Sequence, residues 1–266
     1  MADRMNNLSG SEWLRKSFTI WREITKTTEE RLTKHPALFP QKLVEELISI
    51  YTKDDGETVL DPFLGIGSTL LAALATRRNG IGLDLNKNFC DIAQKRLDTA
   101  RQTLFTDDQP TKQTVITADS RRLLEHVASE SIDLVVTSPP YWDILNQRRT
   151  ADSKEIRNYS DSRDDLGNLE NYEEFLDNLK TVFAQVFQAL KPNKRCISVV
   201  MDLRKKDRFY PLHEDQSRIM REVGFELEEY VIWDRQREYN NMRTLGYPYV
   251  FRFNKVHEYI CIYWKR

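Results

Sequence analysis

The chain is short of cysteine, histidine, glycine and proline. Three cysteines in 266 residues, at positions 90, 196 and 261, form an odd and scattered set. They suit reduced thiols in a cytoplasmic protein better than a disulfide frame or a metal site. Four histidines, at 35, 126, 213 and 257, lack the spacing of a ligand set, so no metal is expected. Nine glycines and nine prolines leave no low-complexity run and no repeat. No apolar stretch approaches the roughly 20 residues of a membrane span. The opening residues, Met1-Ala2-Asp3-Arg4-Met5, have no apolar core behind them, so no secretory signal is expected. A net charge of −1 excludes the overall basic footprint of a strong nucleic-acid binder, so the distribution of charge matters more than its sum. What remains is 40% hydrophobic and 30% charged, the composition of one large soluble domain with a well-buried core.

Among the residues present, Thr137-Ser138-Pro139-Pro140-Tyr141-Trp142 is the most informative, because it follows Ile132-Asp133-Leu134-Val135-Val136. Five residues, four of them apolar, predict an inner strand of a parallel sheet. Two prolines then end ladder pairing, since neither has an N–H to give. Their carbonyls stay free at the carboxyl end of a strand, where ligands of open α/β sheets sit. With the Ser138 hydroxyl and the rings of Tyr141 and Trp142, the stretch offers acceptors and stacking to a flat heterocycle bearing an amino group. Taken alone, Pro-Pro-Tyr reads more readily as a proline turn whose aromatics pack into the core. A second motif upstream reverses that order.

That motif runs Thr58-Val59-Leu60-Asp61-Pro62-Phe63-Leu64-Gly65-Ile66-Gly67-Ser68-Thr69. A short strand ends at an acid, a glycine-rich turn follows, and an apolar run from Leu70 to Ala75 starts a helix. Gly65 and Gly67 let the backbone pass close to a ligand. The helix N-terminus favours polar or anionic groups. No lysine follows the last glycine, as a phosphate loop requires, and Leu70 stands where a dinucleotide fingerprint wants a third glycine. A nucleoside-like ligand remains. The strand Gly80-Ile81-Gly82-Leu83-Asp84 and the strand Thr114-Val115-Ile116-Thr117-Ala118, followed by Asp119-Ser120, bring two more acids to the same edge. One such acid is most simply a solvated strand end. Asp61, Asp84 and Asp119 in step predict a site, with Asp84 placed to accept both hydroxyls of a ribose.

In these motifs the chain resembles the S-adenosyl-L-methionine-dependent methyltransferases that modify exocyclic amino groups of DNA bases. The stretch Asp61 to Ser68 is similar to that family's cofactor loop, Gly82-Leu83-Asp84 to its ribose-binding strand end, and Thr137 to Tyr141 to its catalytic loop. Lys34-His35-Pro36-Ala37-Leu38-Phe39-Pro40 is similar to the segment over the methionine end of the cofactor, and His257 to Trp264 to the last strand. The resemblance implies a Rossmann-like class I fold: an α/β sheet of about seven mostly parallel strands, helices on both faces, and an antiparallel edge hairpin. It implies S-adenosyl-L-methionine as cofactor, held by His35, Pro36 and Phe39, by Asp61, Pro62, Phe63, Gly65, Gly67, Ser68 and Thr69, and by Asp84, Leu85, Asp119 and Ser120. It implies double-stranded DNA as partner in a prokaryotic cytoplasm. A cognate restriction endonuclease and the oligomeric state stay open.

Residues 1–33 read as a helical lead-in, with Trp13, Leu14, Phe18, Trp21 and Ile24 at helix-compatible spacing, and 34–266 as one methyltransferase domain. Helices are predicted over 40–52, 66–77, 172–190 and 212–223, and strands over 196–201, 225–233 and 257–264. Three insertions, 143–167, 203–210 and 234–256, are left to contact DNA. The first is long for a structureless connection, which suits a lid or a mobile surface loop, and holds Arg148, Arg149, Arg157 and Arg163. The last carries Arg235, Arg237, Arg243, Arg252 and Lys255 interleaved with Tyr239, Tyr247, Tyr249, Phe251 and Phe253. That mixture suits phosphate contact with base stacking, and equally a solvated hairpin whose aromatics pack on the sheet.

The chemistry then follows. An exocyclic amine is a poor nucleophile because its lone pair is delocalised into the ring. Acceptors for its protons, here the Ser138 oxygen and the Pro139 carbonyl, favour a tetrahedral nitrogen as the methyl arrives. Pro140 stiffens the loop, and Tyr141 and Trp142 are expected on the face of a flipped base. Serine before Pro-Pro-Tyr resembles the cytosine-N4 enzymes of the family, and aspartate or asparagine there the adenine-N6 enzymes. Cytosine N4 is therefore expected, with adenine N6, an RNA base, or a catalytically silent DNA-binding module as alternatives. Methylation at carbon 5 would need a cysteine after a proline, and Cys90, Cys196 and Cys261 follow Phe89, Arg195 and Ile260.

Overall fold

The computed structural model describes residues 4–28, 30, 38–104, 111–143, 165–239, 242 and 244–266. His35, Pro36, Arg148, Arg149, Arg157, Arg163 and Arg243 lie outside the described residues.

Ten strands are described: β1 (Ile20–Trp21), β2 (Thr58–Asp61), β3 (Asn79–Asp84), β4 (Gln113–Thr117), β5 (Ile132–Thr137), β6 (Leu190–Val200), β7 (Leu203–Lys205), β8 (Arg208–Tyr210), β9 (Glu226–Asp234) and β10 (His257–Trp264). Eight of them make one sheet in the order β1-β9-β10-β6-β5-β2-β3-β4. The run from β6 to β4 is parallel, and β10 lies antiparallel between β6 and β9. The edge hairpin implied by the family resemblance is thus present.

Among the described residues, six α-helices flank the sheet: α1 (Gly10–Lys16), α2 (Gln41–Tyr51), α3 (Ser68–Ala75), α4 (Lys87–Leu104), α5 (Tyr172–Ala189) and α6 (Leu212–Val223). Alternation along the strands sorts the core into two layers. Leu134 and Val136 of β5 face α2, with Leu43, Val44, Leu47 and Ile48. Val135 faces the other way, onto α5 and α6, with Phe175, Leu179 and Phe183. Both faces being covered, β5 is buried from end to end, which is why its sequence reads as a continuous apolar run rather than an alternating one.

The lead-in departs from its expected helix. Helix stops at Lys16, capped at its start by the Ser9–Glu12 box, and none of its residues is buried. Ile20 and Trp21 instead pair in parallel with Ile232 and Trp233 at the sheet edge. A periodicity of apolar residues was outweighed there by the unpaired backbone groups of β9, which a short strand satisfies. The insertion at 203–210 is the hairpin β7–β8.

Candidate cofactor and catalytic site

The carboxyl ends of β2, β3 and β5 meet in one cleft that opens to solvent, and residue 119, just beyond β4, joins them there. Phe39, Pro62, Phe63, Gly65, Ser68, Asp84, Leu85, Asp119 and Ser120 line it, and so do Ser138 and Pro140 of the proline loop. The two motifs found in the sequence therefore open onto a single space.

Asp84 is the acid with room for a ligand. One oxygen accepts from the Gly65 N–H at 2.7 Å and the other from the Asn86 N–H at 2.8 Å. Each keeps a further lone pair toward the cleft. Burial pushes its carboxyl up to about 6, against the pull of those two N–H groups. Asp61 behaves differently. It is fully buried and does not line the cleft. Thr137 and Thr69 each donate to it at 2.6 Å, and the Phe63 N–H at 3.0 Å. Burial lifts its carboxyl to about 6 as well. Asp61 thus joins the glycine-rich loop to the proline loop, and the two threonines take up its oxygens. Asp119 sits at the rim, clamped by the Arg121 guanidinium, and Ser120 donates to the Pro62 carbonyl.

Gly65 and Gly67 are both left-handed, with φ of 54° and 89°. A Cβ on Gly67 would lie 2.9 Å from the Ala93 Cβ of α4. That glycine is required by packing between α3 and α4, not by approach to a ligand. Ser68 begins α3, is buried, and its hydroxyl has no partner among the described residues. An orphaned hydroxyl in a cleft wall, a paired acid with free lone pairs and the aromatic Phe63 and Phe89 suit a nucleoside with a polar tail.

In the catalytic loop, the Ser138 hydroxyl donates to the Val199 carbonyl at 3.0 Å and lies 3.1 Å from the Tyr141 hydroxyl. Tyr141 donates to Glu258 at 2.7 Å. Neither Glu258 nor Val199 was legible as a site residue, since both lie on strands remote in sequence. Two expected substrate contacts are corrected. Trp142 is 4% exposed: a φ of 50° turns its ring into the core, against Tyr172 and Tyr210, with its indole N–H on the Leu169 carbonyl. Arg235 is likewise turned inward, between Glu238 and Glu258 and over the Trp233 ring at 4.6 Å. A buried carboxylate needs a cation beside it more than a surface phosphate site does. Arg237 is exposed, and Arg252 pairs with Asp207 of the β7–β8 turn.

Comparison with known proteins agrees with this geometry. The DNA methylase family model, named for N6 and N4 methylation, matches residues 2–95 and 132–266. An orphan methyltransferase, M.BamHII of Bacillus amyloliquefaciens, is 40% identical over 84 residues, covering 30% of this chain and 31% of that protein. The type II methyltransferase M2.DpnII of Streptococcus pneumoniae is 36% identical over 101 residues, covering 38% and 37%. The matched stretches thus span about a third of those relatives' lengths. A SAM-dependent methyltransferase structure from Methanosarcina mazei superposes with a TM-score of 0.51 at 13% identity over 80% of this chain and 93% of that one, a likeness of fold alone. With both loops on one cleft and the family model matched over most of its length, the chain belongs to the DNA methylase family, S-adenosyl-L-methionine-dependent methyltransferases of exocyclic amino groups.

Proposed function

We propose that the chain methylates the N4 amino group of cytosine in double-stranded DNA, with 34–266 acting as the methyltransferase unit. The observation that carries this reading is that Ser138 and Pro140 line the same cleft as Asp84 and Ser68. A base amino group held at Ser138 is thereby brought against the methionine end of a cofactor held at Asp84. S-adenosyl-L-methionine supplies an electrophilic methyl group on a sulfonium. The protein's own work is to bind, orient and dry the pair. Asp84 accepts the ribose hydroxyls, and Ser68 serves the polar tail. Asp61 positions both loops. Ser138 and the Pro139 carbonyl accept the amino protons. Tyr141, half-buried, offers its ring to the base, which must leave the helix to arrive there. Serine is too weak a base to hold the released proton, so its role is hydrogen bonding.

The neutral serine before Pro-Pro-Tyr supports cytosine over adenine through the resemblance described above. The hairpin β7–β8 and the segment 244–256 supply the DNA-facing side. Tyr247, Tyr249, Phe251 and Phe253 there are at least 80% exposed, and Lys255 and Arg252 stand among them. The test is transfer of labelled methyl groups to duplex DNA. Ser138→Ala should lower the transfer rate more than DNA affinity, since its hydrogen bond strengthens as the nitrogen becomes tetrahedral. Tyr141→Ala should lose stacking of about 1–3 kcal/mol while S-adenosyl-L-methionine still binds. Equal loss of DNA affinity and rate in Ser138→Ala would move Ser138 from catalysis to docking.

A further inference from the structure

Glu258 is 5% exposed, at the second position of β10. One of its oxygens pairs with Arg235, and the other receives the Tyr141 proton at 2.7 Å. A carboxylate only accepts, so with Glu258 charged the phenol proton goes to it at 2.7 Å rather than to the neutral Val199 carbonyl at 3.3 Å. The Tyr141 oxygen then faces Ser138 as an acceptor, at 3.1 Å. The Val199 carbonyl, 3.0 Å from Ser138, is an acceptor by nature. Ser138 thus meets two acceptors and, among the described residues, no donor. Its own proton is drawn inward and its lone pairs are left to the cleft. The chain of hydrogen bonds has one direction, and a charge sets it.

We propose that Glu258, held by Arg235, fixes the polarity of this chain and so makes Ser138 an acceptor for the amino protons of the target base. The inference rests on the methyl transfer proposed at Ser138. Glu258 and Arg235 touch neither substrate nor cofactor, so they are positioning residues. Arg235 follows β9 directly and roots the insertion that carries the exposed aromatics, so one ion pair anchors both that insertion and the catalytic loop. Arg235 also binds Glu238, so removing the charge of Glu258 does not strand a buried cation.

Glu258→Gln keeps the shape but lets the side chain donate as well as accept. An amide N–H given to the Tyr141 oxygen frees the phenol proton to turn toward Ser138 at 3.1 Å, nearer than the Val199 carbonyl at 3.3 Å, and to occupy a lone pair. The variant should bind S-adenosyl-L-methionine by calorimetry as wild type does and keep its KM for duplex DNA. Its kcat should fall about tenfold, the effect of one weakened transition-state hydrogen bond. The double variant Tyr141→Phe with Glu258→Gln removes the phenol proton, so Ser138 again donates only to Val199. It should turn over faster than Glu258→Gln alone, whereas a merely structural role makes the double variant slower. Arg235→Lys and Arg235→Gln supply the same test should Glu258→Gln not fold. The lysine variant keeps a cation on the carboxylate and should be the faster, and equal rates overturn the proposal. With an active wild type, a Glu258→Gln kcat at the wild-type level, or a double variant slower than Glu258→Gln, overturns it and leaves the proposed function standing. A wild type that transfers no methyl to DNA overturns both.

Discussion

In the proposed site, Asp84 serves structure and ligand with the same two oxygens. It fixes Gly65 and Asn86 through their backbone N–H groups and keeps lone pairs for two hydroxyls. Asp84→Ala should therefore lose charge-assisted hydrogen bonds worth about 1.5–3 kcal/mol each in cofactor affinity, and unchanged affinity by calorimetry would remove the assignment. The raised carboxyl adds a pH dependence. On the proposed role the charged form accepts the ribose, and that form is lost as pH falls through about 6. Cofactor affinity should weaken below that pH in wild type and show a flatter profile in Asp84→Asn. Trp142 carries the opposite lesson. Its place after Pro-Pro-Tyr suggested a stacking platform, but no local pattern encodes the positive φ that buries it. Trp142→Ala should cost about 3–5 kcal/mol of stability, the price of emptying a core site, as read by denaturant melting. A stable Trp142→Ala that fails only in DNA binding would restore the stacking role. Gly67 was legible as a necessary glycine, but its reason, the contact with Ala93, lies on a helix whose packing no motif shows.

At the scale of elements, the strands and helices were legible wherever burial repeats with a simple period. The helix predicted at 212–223 is α6 to the residue, because its apolar face and the glycine after it agree. The core strands were legible because both faces are covered. What failed was at the edges: of the lead-in, 10–16 is the helix α1, but 20–21 is a strand, since pairing with β9 decides that stretch. The insertions carry no period and declare themselves only by composition. The structure brings two of them together, with Arg252 on the β7–β8 turn and Lys255 4.7 Å from the Phe209 ring centre. If this joint surface meets phosphates, Arg252→Gln should weaken binding to all sequences and lower the salt slope by about one. A salt slope identical to wild type would assign Arg252 to holding the two insertions against each other.

For the whole molecule, a net charge of −1 hides an uneven surface. Asp84 and Asp119 line the cleft, while cations and exposed rings gather on the insertions after β6 and β9. The cofactor loop, the catalytic loop and those insertions all leave the carboxyl edge of one sheet, so the topology brings them together even though they are far apart in sequence. The order of the motifs gave the sheet, and the sheet gives the cleft; the proposed target base rests on a single side chain, Ser138. The measurement that bears on this most directly is mass spectrometry of nucleosides from duplex DNA incubated with the chain and S-adenosyl-L-methionine. The account predicts N4-methylcytosine, formed more slowly with Ser138→Ala at matched times. N6-methyladenine alone would contradict the base assignment, and methylated RNA with unmodified DNA would contradict the substrate.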